Sequence, residues 1–74
     1  MNSKELNAAK VLYESIDHDV EQMENDLNCG YLSVNVGRDK QTYVWYFDEI
    51  SNNIAINVET LQFVDEEFIE DNFC

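Results

Sequence analysis

Between Ser3 and Asn28 the apolar residues Leu6, Ala9, Tyr13, Ile16, Val20, Met23 and Leu27 recur at alternating steps of three and four. That spacing is one face of an α-helix, held over about six turns at 3.6 residues per turn. It predicts a single helix over residues 3–28, with Ser3 as its N-cap and Cys29-Gly30 as its stop. Glycine tolerates the left-handed conformation that closes a helix. Val11 and Leu12 widen the stripe beyond a coiled-coil seam, which suits packing on a sheet better than pairing with one other helix.

After Gly30 the period changes to two. In Tyr31–Val36, Leu32, Val34 and Val36 point one way, and Tyr31, Ser33 and Asn35 the other. Residues 37–40, Gly-Arg-Asp-Lys, read as a hairpin turn. Residues 41–47 are rich in β-branched and aromatic types and read as a second strand. Its faces are Tyr43, Trp45 and Phe47 against Thr42, Val44 and Tyr46. Residues 48–53, with their Asp, Ser and Asn content, read as a turn, and 53–58 as a third strand with Ile54, Ile56 and Val58 inward. From Glu59 onward two readings compete. Leu61, Val64, Phe68 and Ile69 fit a helix within 60–72 capped by Thr60 or Asp65, while Leu61 and Phe63 also fit a continued strand.

These elements predict an α+β fold in one domain spanning residues 1–74: one long N-terminal helix packed on a three-stranded antiparallel meander, with a short C-terminal helix. The helix is expected to cover Leu32, Val34, Val36, Tyr43, Trp45, Phe47, Ile54 and Ile56. The opposite sheet face, with Tyr31, Ser33, Asn35, Thr42, Val44, Tyr46 and Asn57, is expected to stay open, as antiparallel sheets permit.

Charge changes the picture most. The formal net charge is −12, from sixteen acids against four bases. Residues 1–28 carry −5, residues 29–58 carry −1 and residues 59–74 carry −6. Such a balance disfavours direct binding to nucleic acid or to an anionic membrane, since both are held by Lys and Arg. Self-repulsion also works against the compact state, so the acidity implies a return in solubility or in a partner of opposite sign. Two cysteines, Cys29 and Cys74, are too few for a disulfide scaffold. With no basic, apolar leader and no run long enough to span a bilayer, the expected setting is a reducing cytoplasm. Cys29 is expected to be buried behind the helix.

Catalytic and metal constellations find little support. The one histidine, His18, lies opposite the apolar stripe between Asp17 and Asp19 and reads as a solvated surface residue. No second histidine is present to build a nucleophile–base pair. Asp17, Asp19 and Glu21 open like a calcium loop, but Gln22 and Asn28 stand where that loop needs Gly and Glu. No cofactor or metal is therefore expected, and the exposed aromatics lack the cations that accompany base stacking.

The acids themselves remain. Glu14, Asp17, Glu21 and Glu24 follow helical three-and-four spacing, and Asp19 and Asp26 lie one heptad apart. Asp65, Glu66, Glu67, Glu70 and Asp71 repeat the pattern in the tail. Side chains at such spacing sit about 5–6 Å apart, so a row of them presents carboxylates at separations similar to backbone phosphates. With Tyr31 and Tyr46 as aromatic anchors, these residues are the expected contact surface for a protein with a basic, nucleic-acid-binding groove. In size and acidity the chain resembles small phage and mobile-element proteins that inhibit host defence, including anti-CRISPR and anti-restriction DNA mimics. That resemblance implies a non-enzymatic inhibitor acting in the host cytoplasm. The alternative is a small homodimeric regulatory or adaptor protein, joined through the helix seam or the open sheet face.

Overall fold

Asn2, not Ser3, starts the first helix. Its side chain accepts from the Glu5 backbone N–H at 2.8 Å while the Glu5 carboxylate accepts from the Asn2 N–H at 3.2 Å, a reciprocal capping box. In the computed structural model, which describes residues 1–49 and 53–73, helix α1 then runs Ser3–Ser15 and stops. The expected continuous helix is broken at Ile16–Asp19. The stop is a Schellman closure, with the Asp17 N–H donating to the Glu14 carbonyl and the His18 N–H to the Tyr13 carbonyl. Asp17 takes the left-handed conformation, φ 56°, that glycine more often fills. Asp19 restarts the chain by capping a single 3-10 turn, Val20–Gln22, and α2 follows at Met23–Cys29. Gly30, at φ 88°, ends α2 as expected.

The sheet has four antiparallel strands in sequence order: β1 Leu32–Val36, β2 Thr42–Phe47, β3 Asn53–Asn57 and β4 Phe63–Val64. Beyond β4, α3 runs Glu66–Phe73 with the Asp65 carboxylate accepting from the Phe68 N–H at 2.9 Å. Both readings of the tail therefore hold in part, since a two-residue strand precedes the helix. The turn expected at 48–53 falls partly on residues 50–52, outside the described residues, as does Cys74.

Register decides which side chains meet. The hairpin pairs Leu32 with Tyr46 and Val34 with Val44, and β3 pairs Val44 with Ile56 and Tyr46 with Ile54. Directly paired residues share a face. Val44 and Tyr46 thus lie under the N-terminal helices beside Leu32, Ile56 and Val58, with Ala8, Ala9, Leu12, Tyr13 and Met23 above them. The expected inward trio of Tyr43, Trp45 and Phe47 is on the other side. That other side is not open: α3 lies on it, closing a second, smaller cluster around Tyr43, Ala55 and Ile69 with Trp45, Val64, Phe68 and Phe73 at its border. The layers are helix, sheet and helix. The stripe on α1 is also centred on Ala8–Leu12, which leaves Leu6 exposed at its rim, and Leu27 on α2 is exposed as well.

Two tight turns hold the strands. In the hairpin, Asp39 accepts from the Gln41 N–H and from the Tyr43 hydroxyl at 2.6 Å, and Lys40 sits at φ 66°. Between β3 and β4, the buried Asn57 carboxamide accepts from the Glu59 and Thr60 N–H groups, and Leu61 is held at φ 59°. A left-handed conformation costs an ordinary side chain roughly 1–2 kcal/mol, and Asn tolerates it better. Because the Leu61 side chain is exposed, Leu61→Asn is expected to raise stability by roughly 0.5–1 kcal/mol, read as a melting temperature several degrees higher.

Candidate functional site

Most of the expected contact acids do reach solvent. Glu14, Asp17, Asp19, Glu21 and Glu24 are exposed around the break between α1 and α2, and Asp65, Glu66, Glu67, Glu70 and Asp71 are exposed on and before α3. The two sets do not form one surface, because α1 and α2 cover one face of the sheet and α3 the other. Two layer spacings of about 10 Å separate them, more than the Debye length of about 8 Å at physiological salt. The two zones are therefore largely screened from each other at that salt.

The zones also differ in order. Glu14 ends α1, Asp17 and Asp19 lie in the break, and Glu21 and Glu24 follow on the next segment. The expected straight row on one helix is replaced by a bent cluster, with Asp19 engaged in capping Glu21. Helix α3 keeps the regular pattern, with Glu66–Glu70 and Glu67–Asp71 each one turn apart. Its last turn carries no basic residue, so Glu70 and Asp71 oppose the helix dipole and repel the acids one turn before them. A surface ion pair, Lys4–Glu59 at 3.0 Å, joins α1 to the segment after β3 and involves none of the α3 acids. Among the described residues, Glu66, Glu67, Glu70 and Asp71 have no salt-bridge or side-chain hydrogen-bond partner.

Two expected contact residues are corrected. Tyr46 is buried beneath α1, and Asp26 is only 6% exposed. Instead of facing a partner, Asp26 closes a polar cluster inside the helical layer. The Tyr13 hydroxyl donates to Asp26 Oδ2 at 2.5 Å, and His18 Nε2 lies 3.1 Å from the same oxygen. The Tyr13, His18 and Tyr46 rings pack mutually, with centroids 4.9–5.4 Å apart. Burial pushes the Tyr13 phenol well above the usual tyrosine range, and the neighbouring Asp26 carboxylate adds to the shift. His18 is thus half-buried rather than solvated, and Cys29, expected to be buried, is exposed. A signal for Asp26 was present in the chain, since it follows Met23 by three residues and so shares its buried face. The break that turns His18 inward had no such signal.

The cluster joins α1, the break and α2 through one carboxylate oxygen. Both the Tyr13 hydroxyl and His18 Nε2 are engaged by that oxygen, and no buried side-chain polar atom among the described residues lacks a partner. Chemically it is a clamp on the helix–break–helix unit.

Tyr31 is exposed and lines a shallow aromatic groove with Gly30, Ser33, Trp45 and Phe47. Trp45 is fixed there by its Nε1–H donating to Asn53 Oδ1 at 2.6 Å and by stacking on Phe73 at 5.8 Å. A second groove, between Met1, Leu6, Lys10, Val20, Met23 and Leu27, follows the junction of α1 and α2. Among the described residues, no group of three or more His, Cys, Asp or Glu side chains is arranged to hold a metal ion, and no helix is long and apolar enough to cross a membrane. No family model, no curated protein and no solved structure matches the chain. Its class is the α+β fold described above, and its site is read from its own residues.

Proposed function

We propose that this protein is a non-enzymatic acidic inhibitor that occupies the basic groove of a nucleic-acid-binding protein, a nucleic-acid mimic of the phage or mobile-element anti-defence type, such as an anti-CRISPR or anti-restriction protein. The observation that carries the reading is α3. Four of its eight residues are acids, stacked at one-turn spacing, and two of them sit where the helix dipole disfavours them. A face needed for solubility alone could place those charges at no such cost. Long-range attraction to a basic groove speeds association, and the α3 zone is its principal source because residues 59–74 hold no base. The zone around the α1–α2 break has a secondary role. Tyr31, beside the aromatic groove, serves as an anchor.

The test begins with capture from a bacterial lysate at 0.1 M salt and elution towards 1 M, over which the Debye length falls from about 10 Å to about 3 Å. Captured proteins should be nucleic-acid binders that release their DNA or RNA as this protein is added, measured by fluorescence anisotropy. Replacing Glu66, Glu67 and Glu70 with Gln should slow association on the order of tenfold to a hundredfold. The same replacement at Asp17, Glu21 and Glu24, with Asn and Gln, should have a smaller effect. Glu70→Lys should weaken binding while raising the melting temperature, because it relieves the dipole and completes a Glu66–Lys pair. A captured partner that keeps its nucleic acid and ignores salt refutes mimicry.

A further inference from the structure

We propose that the open edge of β1 pairs with the β1 edge of a second copy, antiparallel and centred on Val34, so that two sheets join into one. The inference is independent of the function proposed above. It also differs from the helix seam and the open sheet face, since the first is spent on the sheet and the second is covered by α3.

The backbone supplies the first argument. Strand β1 lies at one end of the sheet and, among the described residues, pairs only with β2. The Phe47 N–H donates to the Tyr31 carbonyl at 2.8 Å and the Gly37 N–H to the Gln41 carbonyl at 2.9 Å. The odd-numbered residues of β1 therefore bond inward to β2. In an antiparallel ladder the alternate residues point their N–H and C=O groups the other way. Leu32, Val34 and Val36 present theirs at the free edge. The opposite edge, β4, is two residues long and too short to template a partner. Natural edges are usually guarded by charge, proline or brevity. Strand β1 has none of these: from Cys29 to Gly37 no residue is charged, in a chain carrying sixteen acids.

Self-pairing about Val34 also places side chains well. Residue 34 + k meets residue 34 − k of the other copy. On the helix side Val36, 66% exposed and the most exposed large apolar residue described, comes beside the strand backbone at Leu32 of the second copy, whose own side chain is buried in its core. Ser33 meets Asn35, a polar pair of the kind already bonded within the strand at 2.9 Å.

Sedimentation of the full chain from micromolar to millimolar concentration tests this, together with hydrogen exchange. The expected result is a shift from 8.7 kDa towards twice that mass, with the Val34 and Val36 amides gaining protection as concentration rises. Val36→Pro removes an N–H that faces away from β2, a change that edge strands tolerate. Val36→Lys puts a charge on the edge. Both should leave the melting curve of the monomer near wild type and weaken dimerisation by at least about tenfold. A chain that stays at 8.7 kDa throughout overturns the inference. So does a dimer that survives both substitutions, or one in which the β1 amides exchange at the same rate at every concentration.

Discussion

Leu12→Ala is expected to lower the unfolding free energy by about 2–5 kcal/mol, the usual range for emptying a buried leucine site. Leu12 is fully buried, and it stands over the strand residues Val44 and Ile56, themselves fully buried. The core around it is built from one helix layer and the centre of one sheet face, so few other side chains can move in to fill the gap. A domain of this length holds about 5–10 kcal/mol in total, so the loss is a large fraction of what keeps it folded. Leu6→Ala is the control. Leu6 belongs to the same heptad pattern but is 38% exposed at the rim, and its truncation should cost under about 1 kcal/mol. Urea denaturation of the two variants decides the phase of the stripe. Equal costs would place the centre of the helical face at Leu6 instead.

The contrast between Leu12 and Leu6 shows what was legible in the chain. Periodicity located the first three strands and the amphipathic N-terminal region, because burial of one face imposes a repeat on the residues that make it, but it left out β4, whose two residues are too few to show a period. The same repeat concealed the break. The stripe continues through Ile16 and Val20 on both sides of it, since α1 and α2 bury their apolar faces against the same sheet. Asp17 closes the first helix without the glycine that marks such stops, and only the later packing of Asp26 against Tyr13 and His18 explains why the chain turns there.

The face of β2 was misread for a different reason. Both of its faces are apolar, and the larger aromatics favoured the wrong one. Register settles it, because Val34 pairs with Val44 and so carries Tyr43 and Trp45 to the α3 side. No rule of alternation can supply a register set by a five-residue turn. The site was legible as charge but not as shape: ten acids expected at the surface are there in two zones, yet the straight row expected on one long helix is bent by the break between α1 and α2. Asp26 was counted among them because a carboxylate is rarely buried, and it is buried because two donors share its oxygen.

That carboxylate carries the other large expected effect. Asp26→Ala should cost roughly 2–4 kcal/mol, because it leaves the Tyr13 hydroxyl buried without an acceptor and frees His18 from its anchor. Tyr13→Phe should cost less, about 1–3 kcal/mol, since His18 still faces the carboxylate. If the three groups act as one clamp, the double variant Tyr13→Phe with Asp26→Asn will fall short of the sum of the single changes by about 0.5–3 kcal/mol. A pH series gives an independent check. The folded Tyr13 phenol is held above its ordinary value of 10.0, so below that pH both folded and unfolded states keep the proton and its contribution is fully present. As pH rises above 10 the unfolded chain releases the proton and the folded one does not, and stability falls. Tyr43 and Tyr46 are shifted the same way by burial and add to the slope. Tyr13→Phe should therefore make alkaline unfolding shallower while leaving the neutral-pH dependence unchanged. An alkaline slope identical to wild type, or a strictly additive double variant, would show that Tyr13 and Asp26 are not bonded in solution.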